Sequence, residues 1–125
     1  MSTPVGTREG VIDAYVSAWG LSDASERLVR LEGCYAADAI YCDPTVSVSG
    51  RAALSEHIAR TQAAFRGMTL VRTSRINAHG SFARFGWQMR GADGKNLPES
   101  LDVVEFGADG RIVRVIGFFG PLRPL

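Results

Sequence analysis

Two carboxyl groups and a phenol stand where the sequence pattern turns inward. Asp102 lies in Leu101-Asp102-Val103-Val104-Glu105-Phe106, a run with the alternation of a strand. Alternate strand side chains share a face, so Asp102 points with Val104 and Phe106 while Glu105 points away. Tyr15 falls on the apolar stripe of the first predicted helix, and Asp43 closes the short run Ile40-Tyr41-Cys42-Asp43. A carboxyl facing an apolar interior must be paired or must change its affinity for a proton. Ionised, such a group can take a proton; neutral, it can donate a hydrogen bond to a developing oxyanion. Each residue also has an ordinary structural reading. Asp43 before Pro44 suits a turn, Tyr15 suits a core position with its hydroxyl at the rim, and Asp102 suits a structural hydrogen bond. The chemical reading requires all three to converge on one cavity.

The elements that must position them follow from periodicity. Val11, Ile12, Tyr15, Val16 and Trp19 recur at helical spacing, which predicts a helix over about Thr7 to Gly20, capped by Thr7. A second helix starts at Ser22 or Ser25 and runs to about Ala37, with Leu28, Leu31 and Tyr35 as its stripe. A short strand near Ala39 to Asp43 is broken by Pro44. A third helix, about Ala52 to Phe65, carries Leu54, Ile58, Thr61 and Phe65 on one side. The period then changes. Met68 to Ala78 alternates, His79-Gly80 is a turn, and Phe82 to Arg90 places Ala83, Phe85, Trp87 and Met89 on one face. Strands over about Glu99 to Phe106 and Arg111 to Phe119 complete the order, the last apolar on both faces and therefore central. The expected fold is α+β: three N-terminal helices over one face of a curved, largely antiparallel mixed sheet, a cone enclosing a small-molecule pocket. We expect residues 1–125 to form a single domain.

Composition narrows the partners. The chain has 125 residues and a net charge of +1, so no global field recruits nucleic acid or an anionic membrane. No apolar run approaches the ~20 residues of a spanning helix, and Met1 to Gly10 lacks the apolar core of a signal peptide, which makes the cytoplasm the expected location. Cys34 and Cys42 are the only cysteines and read as reduced core thiols. His57 and His79 form no ligand cluster; His79 marks a hairpin tip, and His57 reads first as a helix-surface residue and second as a pocket residue. Neither a metal site nor a glycine-rich phosphate loop is present, so no cofactor is expected.

The element order resembles the nuclear transport factor 2-like superfamily, with its cystatin-like cone, over nearly the whole chain. That group includes ketosteroid isomerase, SnoaL-like polyketide cyclases, limonene epoxide hydrolase and non-enzymatic binding domains. The local likeness lies in Tyr35-Ala36-Ala37-Asp38-Ala39, Asp43-Pro44 and Gly50-Arg51, and in Asp102 through Phe106 followed by Asp109-Gly110-Arg111-Ile112. Matched to ketosteroid isomerase, Asp43 falls on the general base, and Tyr15 and Asp102 fall on the two donors to the oxyanion. Trp19, Ile58, Phe85, Trp87, Met89, Phe118 and Phe119 would supply the apolar walls. The chain departs from that enzyme at Ile58, where the isomerase has a further tyrosine. It departs from limonene epoxide hydrolase at Ser100, where that family has an arginine. The resemblance implies a cofactor-independent isomerase, cyclase or dehydratase moving a proton beside the carbonyl of a small apolar ketone or polyketide-like ring. The other implied reading is a non-catalytic module for hydrophobic-ligand binding or dimerisation; a homodimer suits both.

Overall fold

The computed structural model describes residues 6–125. Helix α1 spans Arg8–Ala18 and is opened by Thr7, whose hydroxyl accepts from the Gly10 amide. Helix α2 spans Ala24–Cys34. Its cap is Asp23 rather than either serine, and its carboxylate accepts from the Glu26 amide at 2.9 Å. It also ends three residues earlier than its periodicity suggests. Tyr35 already belongs to strand β1, Tyr35–Cys42, because that segment pairs in parallel with the last strand, a long-range partner that local pattern does not reveal. Strand β2 (Ser47–Ser49) folds back on β1, and helix α3 covers Arg51–Ala64.

The remaining strands are β3 (Met68–Arg72), β4 (Asn77–His79), β5 (Phe82–Gly91), β6 (Ser100–Phe106) and β7 (Ile112–Phe118). The expected Met68 to Ala78 run is thus two strands, both paired to β5. The sheet order is β2-β1-β7-β6-β5-β3, with β4 beside β5. Strand β7 is central, as its two apolar faces require, and among the described residues only its pairing with β1 is parallel.

The helices lie on one face of the curved sheet, and the core fills the space between. Ile12, Tyr15, Ala18, Leu31, Leu54 and Ile58 from the helices meet Tyr35, Phe85, Val104, Ile112 and Val115 from the strands. Two polar side chains lock the helices where they border the cavity described below. Buried Arg27 donates to the carbonyls of Leu21, Ser22 and Ser55, to the Ser55 hydroxyl and to Gln62 Oε1. Gln62 in turn donates to the carbonyls of Trp19 and Leu21, at 2.9 and 3.0 Å. This network satisfies carbonyls left over at the end of α1 and fixes Trp19 against α3. No helix among the described residues is long and apolar enough to cross a membrane.

Candidate functional site

A cavity of about 370 Å³ opens between the helices and the concave face of the sheet. Tyr15 and Trp19 enter it from α1, Tyr41 and Asp43 from the end of β1, and His57, Thr61 and Phe65 from α3 and its C-cap. The sheet supplies Leu70, Trp87, Met89, Ser100 and Asp102. The mouth is closed in part by Leu97, Pro98, Phe119 and Gly120; the Gly120 amide donates to the Ser100 hydroxyl at 3.0 Å, and Phe119 meets Trp87 edge-on. All three residues singled out for chemistry therefore border one cavity.

Of the expected wall residues, Trp19, Trp87, Met89 and Phe119 line it, and Ile58, Phe85 and Phe118 do not. Ile58 and Phe85 are sealed in the core beneath it, at 0% and 1% exposure. Phe118 is 54% exposed: along β7, Val115 and Gly117 point inward, so Phe118 points out. Adjacent aromatic residues on one strand cannot share a face, so Phe118 and Phe119 cannot both be walls while the strand continues.

Gly117 separates the two acids. It sits in β7 opposite Asp102 of β6 and beside the end of β1. A Cβ there would lie 3.0 Å from Asp102 Oδ1 and 3.5 Å from Asp43 Cβ. A side chain at this position would fill the gap across which the two acids face the same space.

Asp43 is heavily solvated by the protein. Its Oδ1 accepts from the Thr45 amide (2.7 Å), the Thr45 hydroxyl (2.6 Å) and the Val46 amide (3.1 Å). Its Oδ2 accepts from the Tyr41 hydroxyl at 2.6 Å and lies 3.3 Å from His57 Nε2. Burial pushes this carboxyl up, but the hydrogen bonds from Thr45, Tyr41 and Val46 outweigh it, and the group is held below the ordinary carboxylate value. The turn reading of Asp43 is therefore satisfied at the same time as its place in the cavity.

Asp102 is nearly the reverse. It is 7% exposed, and its one hydrogen bond among the described residues comes from the Trp87 indole, 3.0 Å from Oδ1. Burial pushes its carboxyl up to about 7, against the lowering effect of Trp87 and with help from the charge on Asp43. Tyr15 is fully buried, and its hydroxyl has no hydrogen-bond partner among the described residues. The Trp19 ring approaches it edge-on, centroids 6.4 Å apart, without completing a hydrogen bond to the phenol oxygen. Burial and the neighbouring Asp102 carboxyl keep this phenol protonated well above its usual range.

Sequence reasoning undervalued Tyr41 and His57. Tyr41 sits two residues before Asp43 on the same strand, so a shared face was visible in the spacing. His57 lies one turn after Leu54 on α3, inside the buried stripe, and is 8% exposed. Trp19 and Tyr41 flank its ring, with centroids 5.8 and 5.3 Å away. No group of three or more His, Cys, Asp or Glu among the described residues is arranged to hold a metal ion. The cysteines are separate free thiols.

Comparison with known proteins identifies the frame around this cavity. The model of the SnoaL-like domain matches residues 12–115. A structure from Agrobacterium tumefaciens, described as a proposed isomerase of the SnoaL-like family, is 27% identical, with a TM-score of 0.85 over 91% of this chain and 97% of that one. A protein from Sinorhizobium meliloti described as a proposed polyketide cyclase aligns at 17% identity and a TM-score of 0.66, over 86% of this chain and 93% of that one. A ketosteroid isomerase-like fold from Catenulispora acidiphila, solved with trimethylamine, aligns at 16% identity and a TM-score of 0.69, over 88% and 85% of the two chains. No curated protein sequence matches. The chain belongs to the SnoaL-like domain family, in the nuclear transport factor 2-like superfamily.

Proposed function

We propose that the cavity binds a small, largely apolar carbonyl compound and moves a proton at the carbon next to the carbonyl. The observation that carries this reading is the pairing of two neutral donors without competing acceptors. Asp102, protonated below about pH 7, and Tyr15 both line this apolar cavity, and the Tyr15 hydroxyl, sealed from solvent, has no partner among the described residues. A ligand carbonyl oxygen beside Asp102 that also reached the Tyr15 hydroxyl would accept both hydrogen bonds. As the C–H bond breaks, charge accumulates on that oxygen, and donors fixed in a dry site stabilise it without reorganising. The basic end of the cavity is the corner built by Asp43. Isomerisation, ring closure by an enolate, and dehydration all begin with this step. The descriptions of the Agrobacterium and Sinorhizobium proteins, an isomerase and a polyketide cyclase, lie in the same class of chemistry.

Deuterium incorporation tests the reading. Small apolar ketones and aromatic polyketide-like rings are incubated with the protein in D₂O, and loss of the α-proton is followed by NMR. The expected result is catalysed exchange that falls as pH rises through about 7, because Asp102 then loses the proton it donates. Asp102→Asn keeps a donor and should retain part of the rate; Asp102→Leu should lower it by about 10²-fold or more, the scale of a lost oxyanion donor. Ligand binding with no exchange at any pH would instead identify a non-catalytic pocket.

A further inference from the structure

Asp43 is poorly arranged to take a proton from a ligand. A carboxylate offers about four lone-pair sites. Thr45, Val46 and Tyr41 supply four donors to it, and His57 Nε2 makes the fifth contact. Two of these distances are 2.6 Å, in the range of strong charge-assisted bonds. Before Asp43 could accept a C–H proton, one of those donors would have to leave. The imidazole beside it has no such obstacle. His57 lines the cavity, and its Nε2 faces Asp43 Oδ2. No described residue bonds Nδ1, and Nδ1 is not among the polar atoms sealed from solvent. With the Nε2 proton donated to Asp43, the neutral ring carries its free lone pair on Nδ1.

We infer that His57 is the general base of this site and that Asp43 is its positioning residue. The inference rests on the proton-transfer reading and deepens it. In the step, the ligand's α C–H bond breaks and the proton goes to the Nδ1 lone pair. The C–H electron pair forms the enolate C=C bond as the carbonyl π pair moves to oxygen, which Tyr15 and Asp102 hold. The resulting imidazolium has its Nε2–H on an ionised carboxylate. Returning the proton from Nδ1 to a different carbon completes an isomerisation and restores the resting ring. Asp43 thus does three things from one place: it sets the tautomer, fixes the ring against Trp19 and Tyr41, and balances the transient positive charge. The other titratable groups that line the cavity are Tyr41 on β1, Tyr15 on α1 and Asp102 on β6; among the described residues no lysine or arginine lines it.

Two measurements decide it. In the exchange assay, His57→Gln should lower the rate by about 10²-fold or more, the usual scale of general base catalysis. His57→Ala should be similarly slow and should recover with added imidazole. Retention of exchange in His57→Gln overturns the assignment of His57 and leaves the proton-transfer reading standing. A wild-type protein that exchanges no ketone overturns both. The second readout needs no activity. In ¹⁵N-histidine-labelled protein, neutral His57 should carry its proton on Nε2 and leave Nδ1 bare. In Asp43→Asn, three donors hold the amide oxygen, so the amide NH₂ faces the ring and the proton should move to Nδ1. A wild-type ring protonated on Nδ1, or a tautomer unchanged by Asp43→Asn, overturns the positioning role.

Discussion

Asp43 and Asp102 reach the same cavity from the two strands that flank Gly117, and the protein solvates them in opposite ways. Around Asp43 the chain turns, and a turn exposes backbone amides: Thr45 and Val46 point theirs at Oδ1, and the Thr45 hydroxyl joins them. Around Asp102 the chain is regular strand, whose amides are committed to the ladder with β5 and β7. Only a side chain can reach it there, and among the described residues only Trp87 does. Local backbone geometry therefore decides which carboxyl is ionised and which holds its proton. The lesson is general: a strand is a good place for a neutral acid because it withholds the donors that would ionise it.

Stability against pH separates the two acids most sharply. Asp102 holds its proton more tightly folded, about 7, than its ordinary value of 3.8. That stabilisation is complete below about pH 4 and is lost as pH rises through about 7. At ~1.4 kcal/mol per pKa unit, it amounts to about 4 kcal/mol. Asp102→Asn has no charge to bury and still accepts from Trp87. It should therefore be more stable than the wild type at pH 8 by up to about 4 kcal/mol, with the gap closing near pH 4. Chemical denaturation at the two pH values measures this. An equal offset at both would mean that Asp102 is ionised inside the fold throughout.

Asp43 should respond with the other sign. Its carboxyl is lowered in the fold, so its contribution is present at neutral pH and is lost as pH falls through the acid range. Asp43→Ala strands the buried Tyr41 hydroxyl and His57, while water can reach the exposed Thr45 and half-buried Val46 positions. An unsatisfied buried donor costs about 1–3 kcal/mol, so a loss of about 3 kcal/mol is expected at pH 7. Thermal and denaturant unfolding would show it. A loss below about 1 kcal/mol would mean that the five contacts are made by water as well as by the protein.

Much of this contrast was written in local pattern. Asp102 inside an alternating run announces an inward carboxyl, and Asp43 before Pro44 announces a turn that can feed it amides. The helix stripes and the central, doubly apolar β7 were equally plain. What could not be read depends on partners distant in sequence. The early end of α2 follows from β1 pairing with β7, 77 positions from Tyr35 to Ile112 in the register. The outward turn of Phe118 follows from strand phase, which sequence left free once Phe118 and Phe119 stood side by side. Gly117 carried no sign of its role, because a glycine within a strand states only that a side chain is missing, not what stands in the space. His57 was ambiguous for the same reason: helical phase put it at the edge of the stripe, and only the third dimension put Asp43 beside it.

The smallest effect probes the single bond that Asp102 does receive. Trp87 comes from β5, where its partner across the ladder is Ser100, and its indole reaches diagonally to Asp102 Oδ1. A hydrogen bond to the charged form of an acid is worth about 1.5–3 kcal/mol, equivalent to about one to two pKa units. Trp87→Phe keeps an aromatic ring in the wall and removes only the donor. The Asp102 carboxyl should then titrate about one unit or more above 7, visible in the ¹³C shift of its carboxyl carbon. The Asp43 carbon should move little, because its solvation comes from its own turn. The exchange rate should stay on its plateau to correspondingly higher pH, since the neutral donor survives longer. If Asp102 instead titrates lower without the indole, water has entered in its place, and the neutrality of this acid depends on Trp87 as a plug rather than as a donor.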